Sequence, residues 1–459
     1  MATRVVMSRR HKLAPNLMDT PAMKLGCLLA AMGSLIACAA PSTSTPGSGG
    51  PPLPPGKNDD SDYAVTGARN WYLVGNDLTP GNDRLELAIE GPEDASVVDL
   101  YIDGEFVRRV DRSTDGWSFD EDLTGLAVGE HTALLAADGA SVAFSELTFV
   151  RSHPLYVAVS NDWDNSDHGD DKLVRQERLH ANHPELVITH FVGPYTFTDP
   201  NLSSARQQFL VNWVTNLRDT EGDEIGLHVH PWCHFIESAG VTCRTSPSFA
   251  YASGDSSGYT VRLDSYDESE LVQIFNRANQ LFLANGLNQP TSFRAGGWTA
   301  EAHVLSALAQ AGHVVDTSGC NWSRLEEWEN FSGASLYQWN MQHWSTINEL
   351  SQPYYPNTTD MLSDAAPQLS ILEVPDNGLM VDYTFASEII DMFRANWPGG
   401  ALTKPTTFAT GYHPGSFSES YFARIDDALT EIDKYLAVND GGPVIYARKS
   451  DLIRVYPQQ

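Results

Sequence analysis

Polar side chains with acid–base or metal-binding chemistry recur at the ends of strand-like segments in the C-terminal two-thirds of the chain. Each of them alone has an ordinary explanation, such as a helix cap. Because the carboxyl ends of parallel strands meet at one edge of a sheet, we expect these residues to share one site. The set is Asp162, Asp164, His228, His230, His234, Arg294, Asp316 and His413.

Three histidines of this set are close in sequence. His228 and His230 are two residues apart on a predicted strand, so they share a face. His234 follows past a turn. Imidazoles combined with one carboxylate are a typical ligand set for Zn²⁺ with an open position for water. The spacing therefore predicts one divalent metal, with zinc as the expected ion.

The other members of the set could supply proton transfer and orientation. Asp162, beside a metal-bound water, could serve as general base, and His413 on another strand as general acid. Arg294 could hold Asp162 ionised and oriented through charge-assisted hydrogen bonds. Asp316 could orient His413, fix its tautomer and favour its protonated form. These parts predict metal-assisted hydrolysis of an acyl or amide bond.

Strand-like segments alternate with helical ones from residue 154 onward. Apolar residues at steps of three and four indicate the helices, as between Asp267, which can cap a helix, and Gly286, which can stop it. This alternation predicts an α/β fold with a parallel sheet or a (β/α) barrel. The predicted strands are Leu155–Ser160, Leu186–Val192, Ile225–His230, Thr291–Arg294, His313–Asp316, Ile371–Val374, Thr407–His413 and Val444–Ala447.

At these residues the chain resembles the polysaccharide deacetylases of carbohydrate esterase family 4, over roughly residues 154–450. The resemblance rests on five short motifs in a fixed order. It implies a distorted (β/α)7 barrel and makes residues 154–459 a deacetylase-like catalytic domain. It also implies that Asp162 is the base and Asp164 a metal ligand, because the two fit a divergent Asp-x-Asp form of the first motif.

The other motifs assign further residues by the same resemblance. The run Gly222–His228 matches the lead-in of the second motif, which makes His228 the best-supported imidazole ligand. Arg294 matches the arginine that contacts the base. Asp316 falls where the fourth motif has its aspartate, and His413 matches the catalytic histidine of the fifth.

Two motifs depart from the family pattern. The second motif spaces its histidines by four, and Trp232 stands at that position here. We expect His230 to be the other imidazole ligand because of its strand face, with His234 as the alternative. The third motif normally has a proline after the Arg region, where this chain has Gly296-Gly297. We expect the following Trp298 to contact the substrate.

These residues lead us to predict a metal-dependent hydrolase that removes N- or O-linked acetyl groups from a cell-envelope or environmental polysaccharide. One alternative is a non-catalytic surface lipoprotein that uses the barrel as a glycan-binding module. Another is hydrolysis of a different C–N or glycosidic bond, since one fold hosts many reactions.

Residues 63–150 contain short β-type segments and lack helical periodicity. Asp103-Gly104 separates two of these segments and is a typical hairpin dipeptide. The pattern predicts a small all-β, immunoglobulin-like sandwich that precedes the barrel. We expect an accessory module, with carbohydrate binding by an exposed aromatic such as Trp117 as the alternative.

The first 62 residues have the composition of an export signal and a spacer. Residues 1–38 carry a short apolar run that ends in Leu35-Ile36-Ala37-Cys38, which resembles the bacterial lipoprotein processing box. We therefore expect an exported protein, periplasmic or on the cell surface, whose only membrane contact is acylated Cys38. Residues 39–62 are rich in Pro, Gly and Ser and predict a flexible linker. Cys233 and Cys243 could form a disulfide after export.

The charge of the chain excludes some partners. The sequence of 459 residues has 59 Asp and Glu against 29 Lys and Arg, a formal net charge of −30. Nucleic-acid binding needs a basic face, so we expect no nucleic-acid partner. A neutral or partly cationic acetylated polysaccharide is compatible with this charge, and we expect the protein to be a monomer.

Overall fold

The computed structural model describes residues 62–325 and 334–458. The predicted signal peptide, its Cys38 and the predicted linker up to residue 61 lie outside the described residues. Within them, no helix is both long enough and apolar enough to cross a membrane.

Eight strands between residues 64 and 152 form two sheets, in the orders β1-β3-β6 and β2-β8-β7-β4-β5. They enclose one apolar core that includes Leu85, Leu87 and Ile89, the inward-facing residues of β3. An immunoglobulin-like relationship stays a prediction. The strands are β1 Ala64–Thr66, β2 Trp71–Leu73, β3 Arg84–Glu90, β4 Val97–Ile102, β5 Glu105–Asp111, β6 Trp117–Asp122, β7 Gly129–Ala137 and β8 Ser145–Ser152.

Two local features of this sandwich bear on the sequence predictions. Asp103 and Gly104 have φ angles of 51° and 85° and connect β4 to β5, as the hairpin dipeptide predicts. Trp117 is only 2% exposed and packs in the core, with the Arg112 guanidinium over its ring. A carbohydrate-binding role for Trp117 is therefore wrong, because its ring has no free face of any size.

The remaining strands form one parallel sheet in the order β14-β13-β12-β11-β10-β9-β15, with β16 also paired to β9. The predicted α/β barrel fold is confirmed. The strands are β9 Leu155–Asp162, β10 Ile188–Val192, β11 Glu224–Val229, β12 Ser292–Ala295, β13 Val315–Asp316, β14 Leu372–Glu373, β15 Thr406–Tyr412 and β16 Val444–Tyr446.

Residues 376–381 connect the two edges of this sheet. They follow β14 after Val374 and Pro375, and a parallel bridge joins Met380 to Gly411 of β15. The Gly378 N–H donates to the carbonyl of Ala409 at 2.7 Å, and the Val381 N–H donates to that of Gly411 at 3.0 Å. The sheet therefore curls round until its edge meets β15, which gives the barrel its distorted closure.

Eight α-helices are described, most of them packed outside the sheet. Asp267 caps α4 through the Glu270 N–H, and the Glu270 side chain accepts from the Asp267 N–H in return. Leu271, Ile274 and Phe275 then face the core. The helices are α1 Asp170–Asn182, α2 Ser204–Thr220, α3 Cys233–Ser238, α4 Glu268–Ala284, α5 Ala302–Gln310, α6 Ala334–His343, α7 Ala386–Asn396 and α8 Glu419–Ile432.

Candidate metal centre and active site

Asp164, His228 and His230 form a cluster at the carboxyl ends of β9 and β11. One ligand atom from each lies within 4.8 Å of the others. Oδ1 of Asp164 is 3.2 Å from Nε2 of His228 and 3.3 Å from Nε2 of His230. The two imidazoles reach the same carboxylate because side chains two apart on an extended chain point the same way. The structure thus brings together the three residues predicted as metal ligands.

The outer nitrogen of each imidazole is held by a backbone carbonyl. Nδ1 of His228 lies 3.0 Å from the carbonyl oxygen of Arg294, and Nδ1 of His230 lies 2.8 Å from that of Tyr259. A carbonyl only accepts, so Nδ1 must carry the proton in both rings, and Nε2 of the neutral ring keeps its lone pair. One carboxylate and two such nitrogens fit a zinc-like divalent ion.

Asp164 stays ionised in this setting. Burial acts to raise the pKa of its carboxyl, but the charge of His413 and the close contacts with His228 and His230 outweigh burial. Together they hold the pKa of Asp164 well below its usual range. Asp164 is therefore available as an anionic ligand at neutral pH.

Asp162 and Arg294 form a buried pair next to this cluster. Nη1 of Arg294 donates to Oδ1 of Asp162 at 2.8 Å. Thr317 holds the guanidinium from the other side, accepting from Nε and Nη2 at 3.2 Å each. The second oxygen of Asp162, Oδ2, lies 4.0 Å from Nε2 of His413. Arg294 thus orients Asp162 and leaves one carboxylate oxygen directed toward His413.

His413 is oriented by Asp382, and the prediction that Asp316 orients it is wrong. Nδ1 of His413 donates to Oδ2 of Asp382 at 2.9 Å, and its backbone N–H donates to the same oxygen at 3.2 Å. Burial acts to lower the pKa of His413, but the charges of Asp382 and Asp164 outweigh it and raise that pKa to about 10. The imidazole therefore holds a proton at neutral pH.

Asp316 belongs instead to a group of charged side chains inside the barrel, here called the interior cluster: Asp316, Glu373, Asp376 and Lys449. All four are fully buried. Asp316 accepts from Ser318 Oγ at 2.8 Å, and burial raises the pKa of both Asp316 and Glu373, which interact with each other. Asp316 ends a strand as predicted, but its carboxyl is enclosed.

A strand-end signal for Asp382 was present in the sequence. Leu379, Met380 and Val381 form a short apolar segment, and Asp382 follows it directly. The segment is only three residues long, which is too short to predict a strand. Its contact with β15 depends on closure of the barrel, which brings together residues that are distant in the sequence.

His234 and Trp298 lie in positions that differ from those expected. Nδ1 of His234 is 2.9 Å from Oγ1 of Thr198, and the residue lies in α3, outside the cluster of ligands. Trp298 is only 3% exposed, and its ring meets that of His413 edge to face with centroids 6.1 Å apart. The Trp298 ring therefore has no exposed face with which to make the expected contact with a substrate.

A surface cavity of about 380 Å³ opens at this site. It gives access to the candidate ligand Asp164 and to the hydrogen-bonded pair His413 and Asp382. Its lining residues are Asp164, Asn165, Asp382, Tyr383, His413, Gly415, Ser416 and Tyr421. The disulfide expected between Cys233 and Cys243 is formed next to α3, and Cys320 is a buried free thiol.

Comparisons with known proteins find similarity among solved structures only. No protein-family model and no curated protein matches the chain. A candidate polysaccharide deacetylase from Mycobacterium smegmatis shares 17% identity over 67% of this chain and 93% of its own, with a TM-score of 0.38.

Two further solved structures are similar at the same level. A family 4 carbohydrate esterase from Streptomyces lividans, solved with acetate, shares 12% identity over 65% of this chain and 95% of its own, with a TM-score of 0.33. A CE4 family pseudoenzyme from Bacillus anthracis shares 10% identity over 63% of each chain, with a TM-score of 0.30. Because one fold hosts many functions, the function of this chain must be inferred from its own site residues.

Proposed function

We propose that this protein is a metal-dependent hydrolase that removes N- or O-linked acetyl groups from a polysaccharide. The observation that carries the proposal is the convergence of Asp164, His228 and His230 beside Asp162 and His413. The candidate ligand Asp164 and the candidate acid His413 line one opening, and the candidate base Asp162 lies behind them, 4.0 Å from His413. This combination suits hydrolysis of an acyl bond.

Asp164, His228 and His230 would hold the divalent ion, with zinc as the expected metal. When bound, such an ion supplies Lewis-acid polarisation and makes water more acidic. The protein contributes the orientation of the ligands, because both imidazoles are fixed through Nδ1 to backbone carbonyls.

Asp162 and His413 would divide the proton transfers. Arg294 occupies Oδ1 of Asp162, which leaves Oδ2 to accept a proton from the attacking water. His413, kept protonated by Asp382, would donate from Nε2 to the departing nitrogen or oxygen. The water oxygen bonds to the acyl carbon, the C–N or C–O bond breaks, and acetate leaves the free amine or hydroxyl on the sugar.

Export and anchoring complete the proposal. The expected lipoprotein signal with Cys38 would tether the protein to a membrane through the linker. The Cys233–Cys243 disulfide supports the export part of the proposal, because disulfides persist mainly in oxidising compartments outside the cytosol.

Metal removal tests the function directly. We expect the purified protein to bind one zinc ion and to release acetate from acetylated glycans such as acetylxylan or chitin oligomers. Chelation should abolish acetate release, and added Zn²⁺ should restore it. A protein that binds glycan without zinc and releases no acetate would contradict the proposal and favour the glycan-binding alternative. A different released product would indicate hydrolysis of another bond.

A further inference from the structure

The loop between α3 and α4 places one tyrosine against two of the three candidate ligands. The phenol of Tyr259 donates to Oδ2 of Asp164 at 3.1 Å. The backbone carbonyl of Tyr259 accepts from Nδ1 of His230 at 2.8 Å. Its ring also stacks on the His230 ring, with centroids 4.3 Å apart and planes inclined by 29°. Three different groups of one residue thus contact the metal-binding cluster.

The hydrogen bond to Oδ2 matters because Asp164 has two oxygens that could turn toward a metal. Oδ1 already lies next to both imidazole nitrogens. With Oδ2 engaged by the phenol, rotation of the carboxylate would break a hydrogen bond in a site where Asp164 is only 19% exposed. The carboxylate is therefore held with Oδ1 toward the cluster.

The segment that carries Tyr259 is itself rigidly organised. The Asp255 carboxylate accepts four hydrogen bonds, all from the residues on either side of the Gly258-Tyr259 pair. Oδ1 accepts from N and Oγ of Ser257 at 2.8 and 2.6 Å. Oδ2 accepts from N and Oγ1 of Thr260 at 2.7 and 2.8 Å. The turn around Tyr259 is thus closed by one side chain.

This turn is packed directly on the segment that follows the two histidines. The Cys233 N–H donates to the carbonyl of Ser257 at 2.8 Å. Gly258 has φ +88°, and a Cβ at that position would lie 2.2 Å from the carbonyl oxygen of Pro231. Only glycine allows this approach. The Cys233–Cys243 disulfide further ties the start of the loop to the same segment.

We propose that Tyr259 is a positioning residue of the metal centre, which sets the orientation of Asp164 and His230 and thereby the affinity for the metal. The inference rests on the proposed function, because it needs Asp164, His228 and His230 to be ligands. Outer hydrogen bonds of this kind typically change metal affinity by about 10- to 100-fold. Tyr259 acts through the ligands and is assigned no direct contact with the substrate.

The experiment compares zinc affinity in Tyr259→Phe and in the wild-type protein, by competition with a chromophoric chelator. We expect Tyr259→Phe to bind Zn²⁺ about 10- to 100-fold more weakly. The visible spectrum of the Co²⁺-substituted protein should also change, since a merely structural role would leave the ligand geometry intact. Tyr266→Phe is the matched control, because Tyr266 is buried and bonds the Arg244 N–H of the same loop at 3.1 Å. Its zinc affinity should stay within about twofold of wild type.

A second variant tests the route from the turn to the ligand. Asp255→Ala should weaken zinc binding, and Asp255→Ala combined with Tyr259→Phe should lose no more than the weaker-binding single variant. Equal zinc affinity and an unchanged Co²⁺ spectrum in Tyr259→Phe would overturn the inference alone. A wild-type protein that binds no Zn²⁺ would overturn the proposed function and the inference with it.

Discussion

Two groups of charged side chains occupy the barrel, and Arg294 lies next to both. The rim cluster consists of Asp162, Asp164, His228, His230 and His413. Arg294 donates to Asp162 of the rim at 2.8 Å and has its other Nη 3.7 Å from Asp376 of the interior cluster. Both groups are largely buried, yet the surface cavity is lined by Asp164 and His413 of the rim and by no member of the interior cluster.

The two clusters differ in whether their polar atoms face an open space or are enclosed. At the rim, each imidazole has one nitrogen fixed by a partner and the other turned toward a shared space. In the interior cluster, the carboxyls are enclosed, and burial raises the pKa of Glu373 well above its ordinary value and that of Asp316 as well. Burial also lowers the pKa of Lys449 to about 7, with the nearby Arg294 adding to that shift. Perturbed pKa values therefore occur in both clusters, and access separates the candidate site from the enclosed one.

Asp162→Asn should have the largest effect on activity. We expect a fall in kcat of about 10²- to 10⁴-fold, because the amide cannot accept the proton from water. Zinc binding should persist, since the three ligands remain. Acetate release and zinc titration check this, with exposed Asp219→Asn as the control. Full activity in Asp162→Asn would contradict the assigned mechanism.

Asp382→Asn should have the next largest effect. Without the carboxylate the pKa of His413 should fall from about 10, so the protonated acid is lost at lower pH. We expect kcat to drop by about 10²-fold and the alkaline limb of the pH–rate profile to move to lower pH. If the alkaline limb of the pH–rate profile does not shift, Asp382 does not set the protonation of His413 as the general acid.

Asp316→Asn is the interior counterpart of that variant and should leave kcat within about threefold of wild type. In the folded protein the pKa of Asp316 is raised, so its contribution to stability is present at acid pH and is lost as pH rises. The variant removes one of two neighbouring acids, so its free energy of unfolding at pH 8 should equal or exceed that of wild type. Urea unfolding at pH 5 and pH 8 measures this. A kcat loss as large as in Asp382→Asn would remove the distinction between the clusters.

His313→Leu should have the smallest effect on activity. It should measurably change the stability of the folded protein at acid pH. His313 is buried against Phe275 and Phe293, and burial lowers its pKa to about 4 from 6.5. The unfolded chain takes up a proton below pH 6.5 and the folded chain does not, so stability falls from pH 6.5 to pH 4, by about 3 kcal/mol. The leucine variant should show a flatter pH dependence of the free energy of unfolding. The same slope in both proteins would assign the acid sensitivity to other groups.

Residues near in sequence were predicted well. The strand predicted at Ile225–His230 forms as Glu224–Val229, and Asp267 caps α4 as its position before an apolar periodicity indicates. The two-residue spacing of His228 and His230 favoured them over His234 as ligands, because residues two apart on a strand share a face.

Contacts that depend on closure of the barrel or on loop packing were not predicted. Asp382 meets His413 only because residues 376–381 reach β15, and no local pattern reports that contact. Tyr259 lies 95 residues from Asp164 in the chain, in a loop without periodicity. Trp117–Asp122 forms β6 although Trp117 and Phe119 are its only apolar residues, so its sequence alone gives a weak strand signal.

The late closure of the barrel has a consequence for biosynthesis. All three candidate ligands and Tyr259 lie between residues 164 and 259, whereas Asp382 and His413 follow more than 120 residues later. A chain emerging from the ribosome or crossing a membrane from its N-terminus therefore presents its three candidate ligands first, and the Arg294 carbonyl that holds His228 follows before Asp382 and His413. On the proposed function, hydrolysis also requires His413, which is in place only when β15 docks beside β9, so a nascent or truncated chain would carry the candidate ligands without the candidate acid.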